Sequence, residues 1–400
     1  MIRLDDPPPA APRGLCTDCG LSRTDRAGDC GTACQFIRPD YPALERAAHG
    51  REAGTEDDER FFGAILSMHR ARLDPPAPGA QWTGITTALA AQALRTGAAD
   101  AVLTVVPDAD DPWKPVPALI EDPDELAEAR GMRMGYAPLL ALLGAARDRG
   151  HRRLAIVGIP CQVHALRAIE PTLGFERITV IGTPCSDNTT TENFHAFLAR
   201  LTDRPGDVTY LEFRADYRVE MRFRDGRTRY VPFLKLPLSD LPSDFFPLTC
   251  RTCVDYSNRL SDVTVGYMGG DGEQWLIVRN ERGRALVDAL PGLRLSEPTT
   301  GGRRAKAVAG FVANTRAAAG GLPLRRMPRW ARPLAAWLQP RIGPRGLEFA
   351  RARIEMKAAE SILHLRRAHP RRMKWMIPAH VWRQAKPYGL TPEDSERREP

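Results

Sequence analysis

The sequence predicts an α/β protein: a mostly parallel sheet with covering helices, joined to a small antiparallel meander, an N-terminal cysteine-rich segment and a helical, basic C-terminal region. Three observations carry this. Helical patterns alternate with short apolar runs from Thr83 to Leu201, which is how strands covered on both faces read. Three segments between Asp207 and Pro232 alternate apolar with polar side chains instead. Four Cys crowd into the first 40 residues, and past Gly301 the chain turns basic.

Residues 1–40 set those Cys among Gly, Asp, Pro and Thr with little apolar periodicity, so something other than a core, such as bound metal, is needed to order them. From Asp57 to Arg72, the residues Phe61, Phe62, Ile65, Leu66, Met68 and His69 read as one amphipathic helix, ended by Asp74-Pro-Pro-Ala-Pro-Gly79. A helix from Thr83 to Arg95 stops at Gly97, and Ala101–Val106 follows as a strand. Helix Pro138–Asp148, strand Arg153–Val157, helix Gln162–Ile169, strand Arg177–Ile181 and helix Glu192–Leu201 continue the alternation. The meander is Val208–Phe213, Arg218–Phe223 and Thr228–Val231, with Asp225-Gly226 as its hairpin turn. Pro323, Pro328, Pro333, Pro340 and Pro344 interrupt the last helical region.

At 400 residues, one large domain or two smaller ones both fit, and 43% hydrophobic with 26% charged residues is ordinary globular usage. The start, Met1 to Gly14, has no apolar stretch behind its charges, so no secretory leader is expected there. The nearest approach to a membrane span, Ile85 to Val106, is broken by Gln92, Arg95, Gly97 and Asp100. The net charge of +8 is spread out until the last third and accompanies no nucleic-acid-binding signature, so nucleic acid is not the expected partner. An acidic electron donor or an anionic membrane surface suits it better, as does a merely solvated basic face.

Eight Cys in a reducing cytoplasm point to metal ligation or redox chemistry rather than disulfides. The first group is Cys16-Thr-Asp-Cys19, Cys30 and Cys34. The second is dispersed: Cys161 and Cys185 each follow an expected parallel strand and should emerge at one carboxyl edge, where Cys250-Arg-Thr-Cys253 would complete four thiolates. Ligands spread over so long a stretch favour iron-sulfur over structural zinc, which usually gathers its pairs in a short module. Unliganded buried thiols rank last.

These residues resemble the coenzyme F420 hydrogenase beta-subunit family. The match rests on Cys16-Thr-Asp-Cys19-Gly-Leu, Ala33-Cys34-Gln-Phe36, Thr83-Gly-Ile-Thr-Thr87, Gly158-Ile-Pro-Cys161-Gln, Gly182-Thr-Pro-Cys185-Ser-Asp-Asn188 and Cys250-Arg-Thr-Cys253-Val-Asp-Tyr256. Asp262-Val-Thr-Val-Gly-Tyr-Met-Gly269, Val278-Arg-Asn-Glu-Arg-Gly283 and Gly346-Leu-Glu-Phe-Ala-Arg351 make it more similar to the photosynthetic branch, the 8-vinyl reductases of divinyl chlorophyllide and the 7-hydroxymethyl chlorophyll a reductases. The resemblance implies FAD, two [4Fe-4S] clusters and reduced ferredoxin as donor, with all eight Cys used as four ligands per cluster. Where the family usually shows a third Cys of CxxCxxC, this chain has Ser22, and Cys30 is the natural substitute.

A flavin fits because ferredoxin gives single electrons while saturating a C=C bond takes two electrons and two protons. Gly84, Thr86 and Thr87 at a helix start are candidate flavin contacts, or an ordinary N-cap. Arg133 is a candidate for the pyrophosphate, or a solvated loop side chain; Asp187 and Asn188 are candidates for the isoalloxazine edge, or a turn and cap before the Thr run; and Pro160 is a further candidate cofactor contact. His164 is the candidate proton donor, set against the commoner fate of a core histidine, and Tyr256 and Tyr267 are weaker candidates. Trp330, Trp337, Leu338, Trp375, Met376 and Ile377 lie among Arg325, Arg326, Arg329, Arg366, Arg367, Arg371, Arg372 and Lys374, a mixture suited to an anionic bilayer or to acidic ferredoxin.

The expected organisation is an iron-sulfur segment over 1–56, an α/β flavin-binding domain over 57–206, the meander with the CxxC loop over 207–300 and a basic helical region over 301–400. The expected activity is ferredoxin-dependent reduction of the 8-vinyl group of a chlorophyllide-type tetrapyrrole. A 7-hydroxymethyl reductase and a pure electron-transfer subunit are the alternatives. A cytoplasmic location, peripheral contact with the photosynthetic membrane and a homo-oligomeric state are compatible with that expectation.

Overall fold

Short aliphatic runs become strands where both of their faces can be covered. In the structure, a computed structural model that describes residues 1–8, 16–214, 216–266, 272–322 and 328–397, the strands are β1 (Ile2–Arg3), β2 (Ser67–Leu73), β3 (Ala101–Pro107), β4 (Pro115–Ile120), β5 (Arg153–Gly158), β6 (Arg177–Gly182), β7 (Val208–Phe213), β8 (Arg218–Phe223), β9 (Thr228–Pro232), β10 (Val263–Gly266), β11 (Gln274–Val278), β12 (Leu293–Ser296) and the short antiparallel pair β13 (Thr300–Gly301) and β14 (Arg345–Gly346). One nine-stranded sheet has the order β1-β4-β3-β5-β6-β10-β11-β2-β12. Its centre, β3-β5-β6-β10, is paired in parallel, and the outer pairings are antiparallel. Followed across the sheet, these pairings point β1, β2, β3, β5, β6 and β10 one way and β4, β11 and β12 the other.

The principal helices are α1 (Tyr41–His49), α2 (Ile85–Arg95), α3 (Pro160–Ile169), α4 (Thr191–Leu201), α5 (Glu281–Asp288), α6 (Arg304–Ala318), α7 (Ala331–Ile342), α8 (Leu347–Ala368) and α9 (Ala379–Ala385). Alternate strand residues go to opposite faces. Leu103, Leu154, Ile156, Ile178 and Val180 pack with Val163 and Leu166 of α3 and Ile362 of α8, in a core that also takes in Leu21, Cys30 and Phe36. Val102, Ala155, Ile181 and Val263 face the other way, onto Leu89 of α2 and Leu286 of α5. The cysteine-rich segment and the C-terminal helices are therefore built on the same core as the central strands.

The meander β7-β8-β9 forms its own three-stranded sheet. Its inner residues Leu211, Val219 and Met221 pack on Phe194, Phe197 and Leu198 of α4.

Two expectations are corrected. The helix expected over Asp57–Arg72 is a single turn, Glu59–Phe62, followed by β2. Gly63, at φ +87°, ends the turn. Thereafter the chain extends to pair with β11 on one side and β12 on the other. In the C-terminal region Met376 and Ile377 are each 3% exposed and belong to the core, whereas Trp330, Trp337 and Trp375 are exposed. Among the described residues no helix is long and apolar enough to cross a membrane.

The Val278–Gly283 motif has a packing reason. Gly283 sits in the first turn of α5, where an added Cβ would fall 2.1 Å from the Asp262 carbonyl oxygen. Gly283→Ala should therefore overpack this contact and lower stability by about 1–3 kcal/mol, read as a lower denaturant midpoint at unchanged m-value; a midpoint equal to wild type would refute it.

Candidate cofactor site

Parallel pairing puts the ends of β5 and β6 side by side, Gly158 opposite Gly182. After β5, Pro160 opens α3, where a missing N–H costs nothing. The Ile159 N–H donates to Gln162 Oε1 (3.1 Å) and Gln162 Nε2 donates to the Ala137 carbonyl (2.9 Å), fixing Cys161 in the first turn. After β6, the Cys185 N–H donates to the Tyr256 carbonyl (3.0 Å). Cys250 lies in the single helical turn Leu248–Arg251, and the Cys253 N–H donates to the Cys250 carbonyl (3.1 Å). The four thiols line one cavity together with Pro160, Ser186, Asp187 and Asn188.

Cys16, Cys19, Cys30 and Cys34 line a second cavity, whose wall includes Ser22 and Ile37. Cys30 begins a one-turn helix, and the Cys34 N–H donates to its carbonyl (3.3 Å). The Leu140 N–H donates to the Cys19 carbonyl (2.9 Å), which ties this segment to the α/β body. Thr17, Gln35, Phe36 and Cys161 line both cavities, so the two sets share a wall. In that wall Gln35 Nε2 donates to Cys253 Sγ (3.6 Å) while its Oε1 accepts from the Tyr41 hydroxyl (3.0 Å). Cys16 is exposed, Cys30 and Cys250 are buried and the others half-buried.

Burial pushes the Cys19 thiol up to about 12 and the Cys34 thiol up to about 11, with neighbouring Cys of the same set adding to the rise. In the other set burial raises Cys250 to about 12 and Cys253 to about 11, and holds Cys161 and Cys185 well above an ordinary thiol. Each group of four is thus close enough for its members to repel one another as thiolates. Yet among the described residues no three His, Cys, Asp or Glu side chains come close enough to hold a single metal ion.

Helix α8 adds to the Cys161 cavity side chains that are not among the residues expected from the sequence. Lys357 Nζ donates to Asp187 Oδ1 (2.7 Å) and Glu360 Oε2 (3.3 Å), with its side chain 5% exposed. Burial opposes the Lys357 charge, but the two carboxylates outweigh it and raise its pKa. One turn earlier, Arg353 donates to the Ser186 hydroxyl and lies 6.0 Å from the Tyr256 ring centroid. Ser361 donates to the Cys253 carbonyl. The available signal was the spacing Arg353, Lys357, Ser361 on one helical face.

Asp187 and Asn188 accordingly belong to the wall of the Cys161 cavity. Asp187 is paired with Lys357, and Asn188 Nδ2 donates to the Gly135 carbonyl (2.7 Å). Thr87 Oγ1 donates to the Gly84 carbonyl (3.1 Å), an internal bond of the α2 start, while Thr86 stays half-buried beside it. Arg133 donates to the carbonyls of Met132 (3.0 Å) and Arg130 (2.8 Å), its buried Nε has no partner, and among the described residues no carboxylate pairs with it. Arg130 Nη1 donates to the Pro78 carbonyl (2.9 Å), so the Arg133 loop borders the loop leading into α2. A half-buried guanidinium with no carboxylate partner among the described residues suits an anionic phosphate.

His164 is corrected. It is 1% exposed, its Nδ1 donates to the Ala33 carbonyl (2.9 Å), its ring stands edge-on to Tyr41, and burial holds its pKa down to about 4. A proton donor must reach its acceptor, and this ring is enclosed in the core behind the Cys30–Cys34 turn. Tyr256 is buried against Arg353 and the Cys185 loop. Tyr267 lies outside the described residues.

Replacing Lys357 by Met should strand Asp187 and Glu360 and cost about 3–5 kcal/mol of folding stability. Adding Asp187→Asn in the same chain should restore part of that loss in a denaturant titration; a single variant as stable as wild type would remove the pair from any structural role.

The models for the coenzyme F420 hydrogenase/dehydrogenase beta subunit match the chain at residues 68–144 (N-terminal part) and 151–295 (C-terminal part). The chain is 36% identical over 381 residues to a chloroplastic 7-hydroxymethyl chlorophyll a reductase of Oryza sativa subsp. japonica, covering 92% of this chain and 81% of that protein. It is 33% identical over 380 residues to an uncharacterized protein of Nostoc sp., covering 94% of each. In fold it is similar to a chain of the F420-reducing [NiFe] hydrogenase complex from Methanosarcina barkeri, with a TM-score of 0.53 and 22% identity over 59% of this chain and 84% of that one. On these matches, the chain belongs to the coenzyme F420 hydrogenase/dehydrogenase beta-subunit family.

Proposed function

We propose that this chain is a ferredoxin-dependent iron-sulfur flavoprotein that reduces a peripheral substituent of a chlorophyll-type tetrapyrrole. The observation that carries it is the placement of two sets of four cysteines in neighbouring cavities that share a wall. The residues fit two [4Fe-4S] clusters: one set of four thiols, Cys16, Cys19, Cys30 and Cys34, lines the first cavity and a second set, Cys161, Cys185, Cys250 and Cys253, lines the other, with Cys161 in the wall between them, and ligands drawn from so long a stretch of chain suit an iron-sulfide body better than a tetrahedral zinc. Cys30 takes the place of the Cys that Ser22 replaces, since it lines the cavity with Cys16, Cys19 and Cys34. FAD would take its phosphates at Arg133 and the start of α2.

Bound flavin would supply the conversion of single electrons into a two-electron delivery. The chain's own residues bind and orient. Cys16, on the exposed side, marks the entry for electrons from a small acidic donor, and Gln35 and Phe36 separate the first cluster site from the second. Arg353 and Lys357 hold the Ser186 and Asp187 loop in place on the far wall.

For an 8-vinyl group, two electrons and two protons give an ethyl group. For a 7-hydroxymethyl group the same count gives a methyl group and water. The 8-vinyl substrate is the first candidate. The second is favoured by the 36% identical rice relative, which carries the 7-hydroxymethyl chlorophyll a reductase name.

Anaerobically purified protein should contain iron, sulfide and flavin and should turn over divinyl or hydroxymethyl pigment with reduced ferredoxin. Zinc in place of iron would defeat the proposal. Cys30→Ala should remove about half of the iron, whereas Ser22→Ala should remove none; equal losses would show that Cys30 is not a ligand.

A further inference from the structure

Residues 298–347 hold ten Lys and Arg and no Asp or Glu. Inside this stretch lies α7, with Trp330 preceding it. Trp330 is 79% exposed, Leu334 62%, Trp337 58%, Ile342 39% and Leu338 37%. At about 100° per residue, these five positions fall on one side of the helix. Ala336, the buried residue of α7, points the other way, and the helix packs on the Phe233–Lys235 turn. Large apolar side chains collected on one exposed strip mark a surface that meets something.

Charge identifies the occupant. Arg341 stands 4.1 Å from the Trp337 ring centroid and donates to the Trp337 carbonyl, which holds a cation at the level of an exposed indole. That arrangement lets the ring enter the acyl boundary while the guanidinium stays among headgroup phosphates. Arg304 is paired with Glu348 and Glu355 and Arg329 stands 4.0 Å from Asp240, but the stretch keeps an excess of cations, so a second copy meeting the first through the same strip would set like charges against each other. An anionic lipid surface supplies both partners at once: apolar depth for the strip and negative charge for Arg341, which stands within it beside Trp337.

We infer that α7 lies in the plane of an anionic bilayer surface and docks the chain there. This holds whichever substituent the protein reduces, and it fails or stands independently of the cofactor content.

The full-length protein is mixed with vesicles of phosphatidylcholine alone and of phosphatidylcholine with phosphatidylglycerol, then sedimented. It should bind the phosphatidylglycerol vesicles only, and raising salt to about 0.5 M, where screening acts within a few ångström, should release it. Leu334→Asp with Trp337→Asp should weaken binding at least tenfold. These side chains are exposed, so circular dichroism should match wild type. Arg329→Gln with Arg341→Gln, which leaves the apolar strip whole, should weaken binding severalfold. The inference is overturned by equal binding to neutral vesicles, by no binding to either, or by an aspartate variant that binds like wild type. It is also overturned if sedimentation velocity finds a wild-type oligomer that the aspartate variant splits, since the strip would then be a contact between copies.

Discussion

The buried amide of Asn258 donates to the carbonyls of Gly158 (2.8 Å) and Thr183 (3.3 Å), and this bridge holds the ends of β5 and β6 to the loop that carries Cys250 and Cys253. The approach is so close that a Cβ on Gly182 would fall 2.7 Å from the Asn258 side chain and 2.6 Å from that of Ser261. Four residues later in the same segment, Asp262 completes the anchorage. Its buried carboxylate accepts from the Val180 N–H (2.6 Å), Arg167 (3.0 Å), Asn280 (2.6 Å) and Arg282 (2.8 Å). Those donors come from β6, from α3 and from the start of α5, so one carboxylate locks three elements around the site. Burial alone would raise its pKa, and the two guanidiniums reverse that. Asn258 Oδ1 is left without a partner, but both oxygens of the Asp262 carboxylate are satisfied, and any other arrangement would leave that charge unpaired in the interior.

Much of this could be read in the sequence because the relevant signals are local. Each of Cys161 and Cys185 follows its own apolar strand within a few residues, and parallel strands deliver their carboxyl ends to one edge. The meander alternates with period two and carries its own turn. What was not legible depended on partners distant in the chain. Phe61 to His69 has enough helical periodicity to suggest a helix, and only pairing with β11 and β12, more than 200 residues later, makes Ser67–Leu73 a strand. Pro115 and Pro117 argue against a strand inside a sheet. They are tolerated in β4 because the two-residue β1 pairs only with Ala118 and Leu119.

His164 illustrates the opposite error. Its spacing from Cys161 places it one turn along α3, but the helix rotates that turn inward, where Ala33 and Tyr41 enclose the ring. Sequence distance to a ligand is therefore a poor guide to access. Lys357 was overlooked for the complementary reason: in a region dense in basic residues nothing local separates one buried ammonium from its exposed neighbours. Only Asp187, 170 residues away, does so.

That ammonium also bears on what the thiols can be. Four thiolates in one half-buried cavity would repel one another strongly in a low-dielectric setting. Lys357 is the nearest candidate counter-charge, yet it is already shared between Asp187 and Glu360, so its cluster of side chains brings little net positive charge to the cavity. Arg353 adds one cation on the Ser186 side. The protein alone thus leaves the thiols protonated, as their raised pKa values state. Deprotonation of all four requires several positive charges located between them, which is what a multi-iron centre provides and a distant side chain does not. The same reasoning applies to the Cys16 set, whose walls are mainly apolar and neutral. The chain's own contribution is to hold the two sets of thiols in neighbouring cavities joined through a shared wall, so that charge compensation would fall to a multi-iron centre bound there.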